Sequence, residues 1–302
     1  MVDLSIIIVS FNTKDFLFKC LSSIIKFTSE RLSYEIIVVD NGSRDGSIEV
    51  IQNSKLQIQN YKFKIISNKE NLGFSKANNI GVKKAKGRYI LFLNSDTELI
   101  KKNTLEEMVT FMDNHHEAGA ATCFVELQDN SLDDASHRGF PTPWNSFCHF
   151  SGLGKIFPHS TFLNGYHLGW KDLENVHEID ALAGAFMIVK KEAGEEANWW
   201  DEDYFFYGED LDFCYRLKQK KWKIYFVPTA KILHHKGVSS GIKEHSKNLL
   251  KRDVDSIRRI QEARFDAMRI FYRKHYMKKY PSLITNLVLS GIKFKQKSVS
   301  IR

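Results

Sequence analysis

The chain has 302 residues, of which 43% are hydrophobic and 13% aromatic, enough for a packed core and too many for a mainly disordered protein. Its net charge of +8 is uneven: residues 241–302 hold 16 Lys and Arg against 5 Asp and Glu (+11), which leaves 28 against 31 (−3) for the rest. The four cysteines are far apart and form no Cys-x-x-Cys pair, which argues against a disulfide framework or a cysteine zinc site.

The N-terminal residues resemble neither a leader nor a membrane anchor. Met1 is followed at once by the apolar run 4–9, with no basic region or cleavage site, which predicts the absence of a signal peptide. No apolar run approaches the roughly 18 residues of a spanning helix. Together with the unpaired cysteines, this leads us to expect a cytoplasmic protein.

Strand and helix patterns alternate over about the first 100 residues. Strands are expected at 4–10, 35–40, 63–67 and 89–93, and helices at 16–27, near 47–54 and at 74–84. The first two strands are almost continuous Ile and Val, which is typical of parallel strands buried on both faces. The sequence therefore predicts an α/β fold with a Rossmann-like, mostly parallel central sheet flanked by helices.

The pattern is looser in the remainder. Residues 129–178 are rich in Pro, Gly and aromatics and are expected to form long loops. A strand is expected at 179–190, with the small residues Gly184 and Ala185 inside it, which suggests close approach of a ligand or another backbone. A helix is expected at 205–220 and a strand at 222–227, stopped by Pro228. One long amphipathic helix is predicted at 249–276, and a frayed end at 293–302.

The apolar run that begins at Tyr89 ends abruptly in Asn94, Ser95 and Asp96, with no positive charge beside the carboxylate. Polar groups at the carboxyl end of a buried strand lie where open α/β sheets bind ligands, so this run suggests a metal-diphosphate site. The alternative is an Asp that caps the helix starting near Leu105.

Polar side chains also follow the first two strands, whose ends would line one crevice of a parallel sheet. They are Ser10, Asn12, Asp40, Asn41, Gly42 and Ser43. Asp40 can accept a hydrogen bond from the imide N–H of uracil or thymine, and the short polar groups can reach ribose and phosphate. No Gly-x-Gly-x-x-Gly motif follows the first strand, which disfavours a nicotinamide or flavin dinucleotide. Asn41-Gly42 can alternatively be a turn alone.

A glycine lies at the next junction between a loop and a helix. The free N–H groups of a helix start suit phosphate or sugar oxygens. The candidate residues in this stretch are Asn71, Gly73, Phe74 and Asn78.

Glu209 and Asp210 are adjacent acids preceded by the aromatic run 204–207. Exclusion of water raises the proton affinity of a carboxylate, so one of them can serve as a general base. The alternative is an acidic first turn stabilised by the helix dipole. His234 follows a predicted strand and is either a metal ligand or a hydrogen-bonded structural residue.

In this order, these pieces resemble glycosyltransferase family 2, with its GT-A fold, and in particular its bacterial rhamnosyltransferase-like branch. The matching segments are 5–13 (SIIIVSFNT), 35–45 (EIIVVDNGSRD), 68–81 (NKENLGFSKANNIG), 87–97 (GRYILFLNSDT), 184–188, 201–216 (DEDYFFYGEDLDFCYR) and 228–239. The likeness covers residues 4–241. It implies a GT-A domain at 1–240, with a nucleotide-binding half up to about residue 100 and an acceptor half after it. Residues 241–302 would be a basic amphipathic helical extension.

The resemblance also implies roles for single residues. Asp40 would hold the nucleobase, while Asp96 would contact a divalent metal, Mg or Mn, with His234 as a further ligand. Asp210 would be the catalytic base, supported by Glu209. Gly184 and Ala185 would border the sugar and the acceptor.

Two departures from the family pattern concern this site. Asn94 replaces an acidic residue, which removes one charge near the metal. Asn198-Trp-Trp200 replaces a Gly-rich turn, so Trp200 is expected to alter the local acceptor geometry.

The expected function is an inverting, metal-dependent transfer of a sugar such as rhamnose from a dTDP- or UDP-linked donor to a hydroxyl of a cell-surface glycan or lipid-linked acceptor. Arg138 is a candidate contact for an acceptor phosphate. The basic C-terminal region is either a solvated helix face or a peripheral contact with the anionic inner membrane face. Nucleic-acid binding is disfavoured because no aromatic stacking platform accompanies the charge.

Two rival interpretations stay open. A nucleotidyltransferase is disfavoured by the lack of a Gly-rich loop with Lys or Arg after the first strand. A catalytically weak or inactive sugar-nucleotide or glycan-binding module is supported only by Asn94.

Overall fold

A computed structural model describes residues 2–53, 62–236 and 254–300 of the chain. The strands are β1 (Leu4–Ser10), β2 (Tyr34–Asp40), β3 (Lys62–Ser67), β4 (Tyr89–Asn94), β5 (Thr97–Leu99), β6 (Ala118–Glu126), β7 (His177–Ile179), β8 (Phe186–Lys190) and β9 (Lys223–His234). The α-helices are α1 (Lys14–Phe27), α2 (Ser47–Asn53), α3 (Phe74–Val82), α4 (Thr104–Asn114), α5 (Pro143–Ser151), α6 (Leu153–Ile156), α7 (Lys191–Glu196), α8 (Glu209–Gln219), α9 (Val254–His275) and α10 (Ser282–Ser300).

The strands form one mixed sheet in the order β3-β2-β1-β4-β8-β6-β9-β5, and β7 pairs with β9. Strands β1 to β4 are mutually parallel, and β8 turns back against both β4 and β6. Because β6 and β9 again follow the direction of β1, the sheet is mostly parallel as predicted. In this register Ser10 is opposite Asp40, so the ends of β1 and β2 meet at one edge.

Both faces of the sheet are covered, as the apolar β1 and β2 sequences require. Ile6 and Ile8 pack on one face in a cluster with Leu17 and Leu21 of α1. Ile7 points to the other face and packs in a cluster with Ala77 of α3. Alternation of side chains along a strand therefore places apolar groups into two cores.

The prediction of long loops over 129–178 was wrong in part, because α5 and α6 lie within that stretch. Helix α5 begins where the Thr142 hydroxyl accepts a hydrogen bond from the Asn145 N–H, with Pro143 in the first turn. This cap and proline are ordinary start signals of a helix. Gly152, at φ 83°, ends α5 and begins α6. The sequence interpretation also missed β6.

The single strand expected at 179–190 is two strands, β7 and β8, separated by residues 180–185. The two strands have different neighbours, since β7 pairs with β9 whereas β8 lies between β4 and β6. Gly184 lies in the segment between them. A Cβ atom there would be 3.0 Å from Cζ of Phe74, so the small residue permits close packing.

Strand β9 does not stop at Pro228 but continues to His234. The register against β6 shifts after Val227, where Phe124 is opposite Lys231. An irregularity of this kind accommodates proline, which cannot donate a ladder hydrogen bond. The extra length carries His234 next to β5, opposite Thr97.

Helix α8 starts at Glu209 rather than at residue 205. Tyr207 and Gly208 both have positive φ (70° and 80°), which a right-handed helix cannot include. The helix thus begins at the acidic pair itself.

The C-terminal part differs from the prediction at both of its ends. Helix α9 begins at Val254; residues 249–253 of the predicted helix lie outside the described part of the chain, as does the proposed boundary near residue 240. The expected frayed end was wrong for residues 293–300, because α10 continues to Ser300, while residues 301–302 lie outside the described part of the chain. In the described residues no helix combines the length and apolar character needed to cross a membrane.

Helix α9 packs against the region around α8. Phe271, Tyr272 and Tyr276 are buried in one cluster with Tyr204 and Tyr215. Polar contacts add to this packing, since His275 Nε2 lies 2.6 Å from a carboxylate oxygen of the fully buried Asp212. Lys274 pairs with Asp201 and Asp203.

Candidate functional site

The ends of β1 and β4 are joined by a chain of buried hydroxyls. Thr13 Oγ1 shares hydrogen bonds with Ser10 Oγ (3.0 Å) and with Ser95 Oγ (2.9 Å). Asn12, at φ 53°, donates its N–H to Ser43 Oγ at the end of β2 (2.9 Å). The predicted residues at the three strand ends therefore lie together at one edge of the sheet.

Asp40 presents an acceptor at this edge. One carboxylate oxygen, Oδ2, accepts hydrogen bonds from the N–H groups of Gly42 (3.2 Å) and Ser43 (3.0 Å). The other, Oδ1, is buried and has no hydrogen-bond partner among the described residues. A buried acceptor without a partner costs free energy, which a ligand N–H would recover.

Asn41 fixes the neighbouring loop. Its Nδ2 donates to Asn71 Oδ1 (2.8 Å) and to the Gly73 carbonyl (3.1 Å), and its Oδ1 accepts from Asn68 and Leu72. These four bonds use the full capacity of the amide. The structure thus assigns Asn41 and Asn71 to shaping the crevice.

Gly42 and Gly73 are glycines for steric reasons. Gly42 has φ 84°, and a Cβ there would be 2.9 Å from the Glu70 backbone. Gly73 has φ 87°, and its Cβ would be 2.6 Å from the Phe205 carbonyl oxygen. Phe74 donates its N–H to that same carbonyl (2.9 Å), so the start of α3 is tied to the loop before α8.

Two more predicted residues are buried beneath the contact between the start of α3 and the loop before α8. Asn78 is buried and donates to the Phe74 carbonyl (3.0 Å). Trp200 is also buried, with its ring 4.8 Å from that of Phe92 and 5.5 Å from that of Phe74. Trp200 therefore packs beneath the site rather than offering an exposed aromatic face.

Asp96 and His234 meet where β4 and β9 end. The Nε2 atom of His234 lies 3.4 Å from Asp96 Oδ1, and both residues are buried. Asp96 does not cap the following helix, since the residue preceding α4 is Asn103. The backbone N–H of Asn94 donates to the Ala185 carbonyl (3.1 Å), which fixes the end of β4 next to the start of β8.

A third residue, Asp133, holds the His234 ring from the other side. Its Oδ2 lies 2.9 Å from His234 Nδ1, and its Oδ1 pairs with Lys236. Burial lowers the pKa of His234, but the two flanking carboxylates outweigh burial and raise that pKa to about 9. Burial raises the pKa of Asp133, while His234 and Lys236 outweigh it and hold the pKa well below its usual range.

These residues fit a divalent metal that is completed by its substrate. In the described residues no three His, Cys, Asp or Glu form a metal-binding group, so a closed all-protein cage is not present there. Mg²⁺ and related ions commonly bind one or two protein ligands together with substrate phosphates and water. Asp96 and His234 would supply those ligands, with His234 giving up its Nε2 proton when the metal binds. Asp133 has the position of a carboxylate that orients a ligating histidine.

The acidic pair lies in the first turn of α8, and the two acids have different surroundings. Glu209 is buried, and its Oε2 has no hydrogen-bond partner within the described part of the chain. Burial, and then the neighbouring Asp210, raise the pKa of Glu209 to about 8. Glu209 is thus mainly protonated at neutral pH, whereas Asp210 accepts a charge-assisted hydrogen bond of 2.6 Å from Arg138 Nη2.

Arg138 is itself fixed by the segment between β7 and β8. Its N–H donates to the Ala181 carbonyl (3.2 Å), and its carbonyl accepts from the Ala181 N–H (2.9 Å). Burial lowers the pKa of the guanidinium, but Asp210 outweighs it and raises that pKa. The residue proposed to contact an acceptor phosphate therefore holds the candidate base.

The segment 181–185 connects the acidic pair to the candidate metal group. Ala181 bonds Arg138, which bonds Asp210, and Ala185 bonds the backbone of Asn94. Because an extended chain spans at most about 3.5 Å per residue, the four steps from 181 to 185 cover no more than about 14 Å. The two groups are therefore linked through one short stretch of chain.

Models of two protein families match this chain. The model of the family described as Glycosyl transferase family 2 matches residues 5–170, more than half of the chain, and that of Glycosyl transferase family group 2 matches residues 89–293. The chain belongs to glycosyltransferase family 2.

Relatives within the family include bacterial rhamnosyltransferases. Rhamnosyltransferase WbbL of Escherichia coli (strain K12) is 26% identical over 227 residues, which cover 66% of this chain and 82% of WbbL. The N-acetylglucosaminyl-diphospho-decaprenol L-rhamnosyltransferase of Mycobacterium tuberculosis is 24% identical over 251 residues, 79% of this chain and 78% of that protein. The rhamnosyltransferase-like resemblance is thereby confirmed.

The crystal structure of GalNAc-T7 with UDP, GalNAc and Mn²⁺ aligns with a TM-score of 0.59 at 17% identity, covering 92% of this chain and 58% of that one. The predicted GT-A fold is confirmed. At this level of identity, the likeness concerns the fold alone.

Two residues of this site were not predicted in the positions that they occupy: Asp133 was missed, and Arg138 was expected to contact an acceptor. Asp133 lies in a polar stretch, 131–136, where no spacing distinguishes it from the adjacent exposed Asp134. Arg138 was named for a different role, because its partner Asp210 is 72 residues away in sequence. The only available signal was their presence within the stretch that joins β6 to α5.

Replacing Asp133 by asparagine is expected to weaken metal affinity by about 10- to 100-fold, because loss of a carboxylate behind a ligating histidine typically has this effect. The measurement is a titration of the glycosyltransferase with Mn²⁺ in the presence of UDP, followed by melting temperature. Asp134→Asn is the matched control, as its side chain is exposed. Equal Mn²⁺ affinity of the two variants would contradict the assigned role.

Proposed function

We propose that this glycosyltransferase is an inverting, metal-dependent enzyme that transfers a sugar from a dTDP- or UDP-linked donor to a hydroxyl of a glycan or lipid-linked acceptor. The observation that carries the proposal is the acidic pair of α8, in which a buried Glu209 adjoins an Asp210 held by Arg138. This pair is joined through residues 181–185 to the strand end that bears Asp96.

Asp40 would select the base of the donor. Its Oδ1 has no partner among the described residues and faces no competing donor from the 42–43 turn, whose N–H groups bond Oδ2. Uracil and thymine both carry an imide N–H that can donate to this oxygen. Cytosine carries an acceptor nitrogen at that position, which would oppose the carboxylate. This supports a uridine or thymidine diphosphate.

The leaving diphosphate would lie near Asp96 and His234. These two residues would hold a divalent ion, which when bound stabilises the negative charge that develops on the leaving group. Asp133 fixes the orientation of the His234 ring. The hydroxyls of Ser10 and Ser95 and the backbone around Asn12 border the same edge.

Asp210 would act as the general base of a single displacement. An acceptor hydroxyl gives its proton to the Asp210 carboxylate while its oxygen forms a bond to the anomeric carbon. The bond from that carbon to the diphosphate oxygen breaks, and the electron pair leaves with the nucleoside diphosphate. One displacement inverts the configuration of the anomeric carbon.

Glu209 and Arg138 would assist without taking that proton. A neutral Glu209 can donate a hydrogen bond to a sugar or acceptor oxygen, as carboxylic acids with raised pKa values do in other enzymes. Arg138 restrains the Asp210 carboxylate through its 2.6 Å hydrogen bond. Gly184 lets the Phe74 ring pack closely against the segment that precedes β8, since a Cβ atom there would be 3.0 Å from Phe74 Cζ.

The names of the relatives support a class of acceptor. By its name, the Mycobacterium tuberculosis relative transfers rhamnose to a sugar on diphospho-decaprenol. This favours rhamnose as the donor sugar and a lipid-linked glycan as the acceptor for the present chain, which would place its activity on the cytoplasmic side of the membrane.

A donor screen tests the proposal. The full chain with Mn²⁺ is expected to show a raised melting temperature with dTDP- and UDP-sugars but not with CMP-sugars, because a ligand that binds only the folded form stabilises it. The preferred donor is then incubated with lipid-linked N-acetylglucosamine, and the anomeric configuration of the product is read by NMR. Retained configuration, or stabilisation by CMP-sugars alone, would overturn the proposal.

A further inference from the structure

Two segments of the chain expose large apolar side chains to solvent. One is the stretch around α5 and α6, and the other is one face of α10. Together they form what we call the aromatic surface, made of Trp144, Phe147, Phe150, Ile156, Phe157, Phe162, Leu283, Leu287 and Phe294. Phe162 is 66% exposed and Phe294 is 76% exposed. Contiguous exposed apolar patches on folded proteins commonly mark interaction sites.

Direct contacts join the members of the first segment. The Trp144 ring lies 4.8 Å from the Phe162 ring and 5.7 Å from the Phe147 ring, measured between centroids. Trp144 Nε1 also donates to the Phe162 carbonyl (2.8 Å), which leaves both rings at the surface. Lys295 of α10 places its Nζ atom 3.5 Å from the Phe150 ring centroid, so α10 adjoins this segment.

Helix α10 is held by one face and exposes another. The inner face is fixed by Thr285, whose hydroxyl lies 3.1 Å from the Tyr272 hydroxyl, and by Val288 and Leu289, which pack on the aromatic cluster of α9. The outer face carries Leu283, Leu287 and Phe294, at spacings of four and seven residues. This spacing places them along one line of a helix.

The charge of these two segments is entirely positive. Residues 143–170 and 276–300 contain six lysines, Lys155, Lys278, Lys279, Lys293, Lys295 and Lys297, and no Asp or Glu. The rest of the chain then has 38 basic residues against 36 acidic ones, so six of the eight net charges lie in these segments. The charged side chains within these two segments are therefore all cationic.

This combination matches an anionic lipid surface. Trp and Phe are favoured at the boundary between water and acyl chains, and lysines are attracted by anionic headgroups. A second copy of the chain fits poorly, because a two-fold interface would bring each group of lysines against its equivalent. The apolar surface and its charge thus point to the same partner.

We propose that the aromatic surface docks this protein onto anionic membrane. Helix α5 begins at Pro143, five residues after Arg138 and at most about 17 Å away along the chain, so docking would bring the Asp210 side of the crevice near the bilayer. The basic helix α9, in contrast, buries Phe271 and Tyr272 against the α8 region. Membrane attachment is independent of sugar transfer and is measured without donor or acceptor.

Flotation with lipid vesicles tests the proposal on the full chain. At low salt the protein is expected to float with vesicles of phosphatidylcholine and phosphatidylglycerol, and much less with phosphatidylcholine alone. Changing Lys293, Lys295 and Lys297 together to Gln should lower the partition coefficient at least tenfold, since each lysine near such a surface contributes about fivefold. Changing Phe147, Phe162 and Phe294 together to Ser should also lower it about tenfold or more.

Matched controls separate docking from general effects. The control for charge removes three exposed lysines elsewhere by changing Lys220, Lys221 and Lys223 to Gln. The control for apolar groups changes the exposed Phe18, Ile100 and Leu173 to Ser. Both control variants should float like the wild type. Melting temperature and UDP binding report whether each variant is folded. The proposal is overturned if anionic vesicles do not float the wild type, if the surface variants float as well as their controls, or if sedimentation shows that this surface joins two copies.

Discussion

Replacing Asp210 by asparagine is expected to reduce turnover by about 10²- to 10⁴-fold, the usual contribution of a general base, while donor binding survives. An amide of nearly the same shape cannot accept the proton of the attacking hydroxyl, yet it can still receive the hydrogen bond from Arg138. The measurement is kcat at saturating donor and acceptor, beside the dissociation constant of the donor from thermal shift.

Asp203→Asn is the matched control for this variant. Asp203 lies seven residues before Asp210, its side chain is 69% exposed, and its partner is Lys274 of α9. It should retain the turnover of the wild type. Sugar transfer by Asp210→Asn at the wild-type rate would remove Asp210 from the mechanism, and loss of donor binding would show that its role is structural.

Replacing Asp96 by asparagine is expected to abolish the additional stabilisation that Mn²⁺ gives in the presence of UDP. We also expect at least a 10²-fold decrease in kcat/KM, since a bound metal contributes several kcal/mol of charge stabilisation and each 1.4 kcal/mol corresponds to about tenfold in rate. The reason is that Asp96 supplies the carboxylate beside His234 Nε2. Melting temperature as a function of Mn²⁺ concentration, with and without UDP, reports the effect independently of activity.

The neighbouring Glu98 offers a close control. Its Oε1 lies 2.7 Å from His235 Nε2, so it forms a carboxylate–histidine pair directly adjacent to that of Asp96 and His234. Glu98→Gln should bind Mn²⁺ and UDP as the wild type does. If both variants lose metal binding equally, the loss reflects disruption of the β5–β9 pairing rather than removal of a ligand.

The local sequence was sufficient to predict strands β1 to β4 and the helices between them. The Ile and Val runs of β1 and β2 can be satisfied only by a sheet that is covered on both sides. Because parallel strands end at a common edge, Ser10 and Asp40 could be placed together from sequence alone, and the register confirms that they are opposite one another. Strands whose limits depend on the strands that pair with them were less predictable. The division of 179–190 into β7 and β8, which pair with different strands, is an example.

The sequence by itself determined the buried parallel half of the sheet and the polar residues at its edge, since strand burial and the direction of parallel strands follow from short apolar runs. Only the tertiary structure decided that Arg138 holds Asp210, that Asp133 holds His234, and that β9 passes Pro228 to deliver that histidine. These pairs are separated by 72 and 101 residues. Interaction energies of this kind depend on distances between side chains, and those distances exist only once distant strands and loops have packed together.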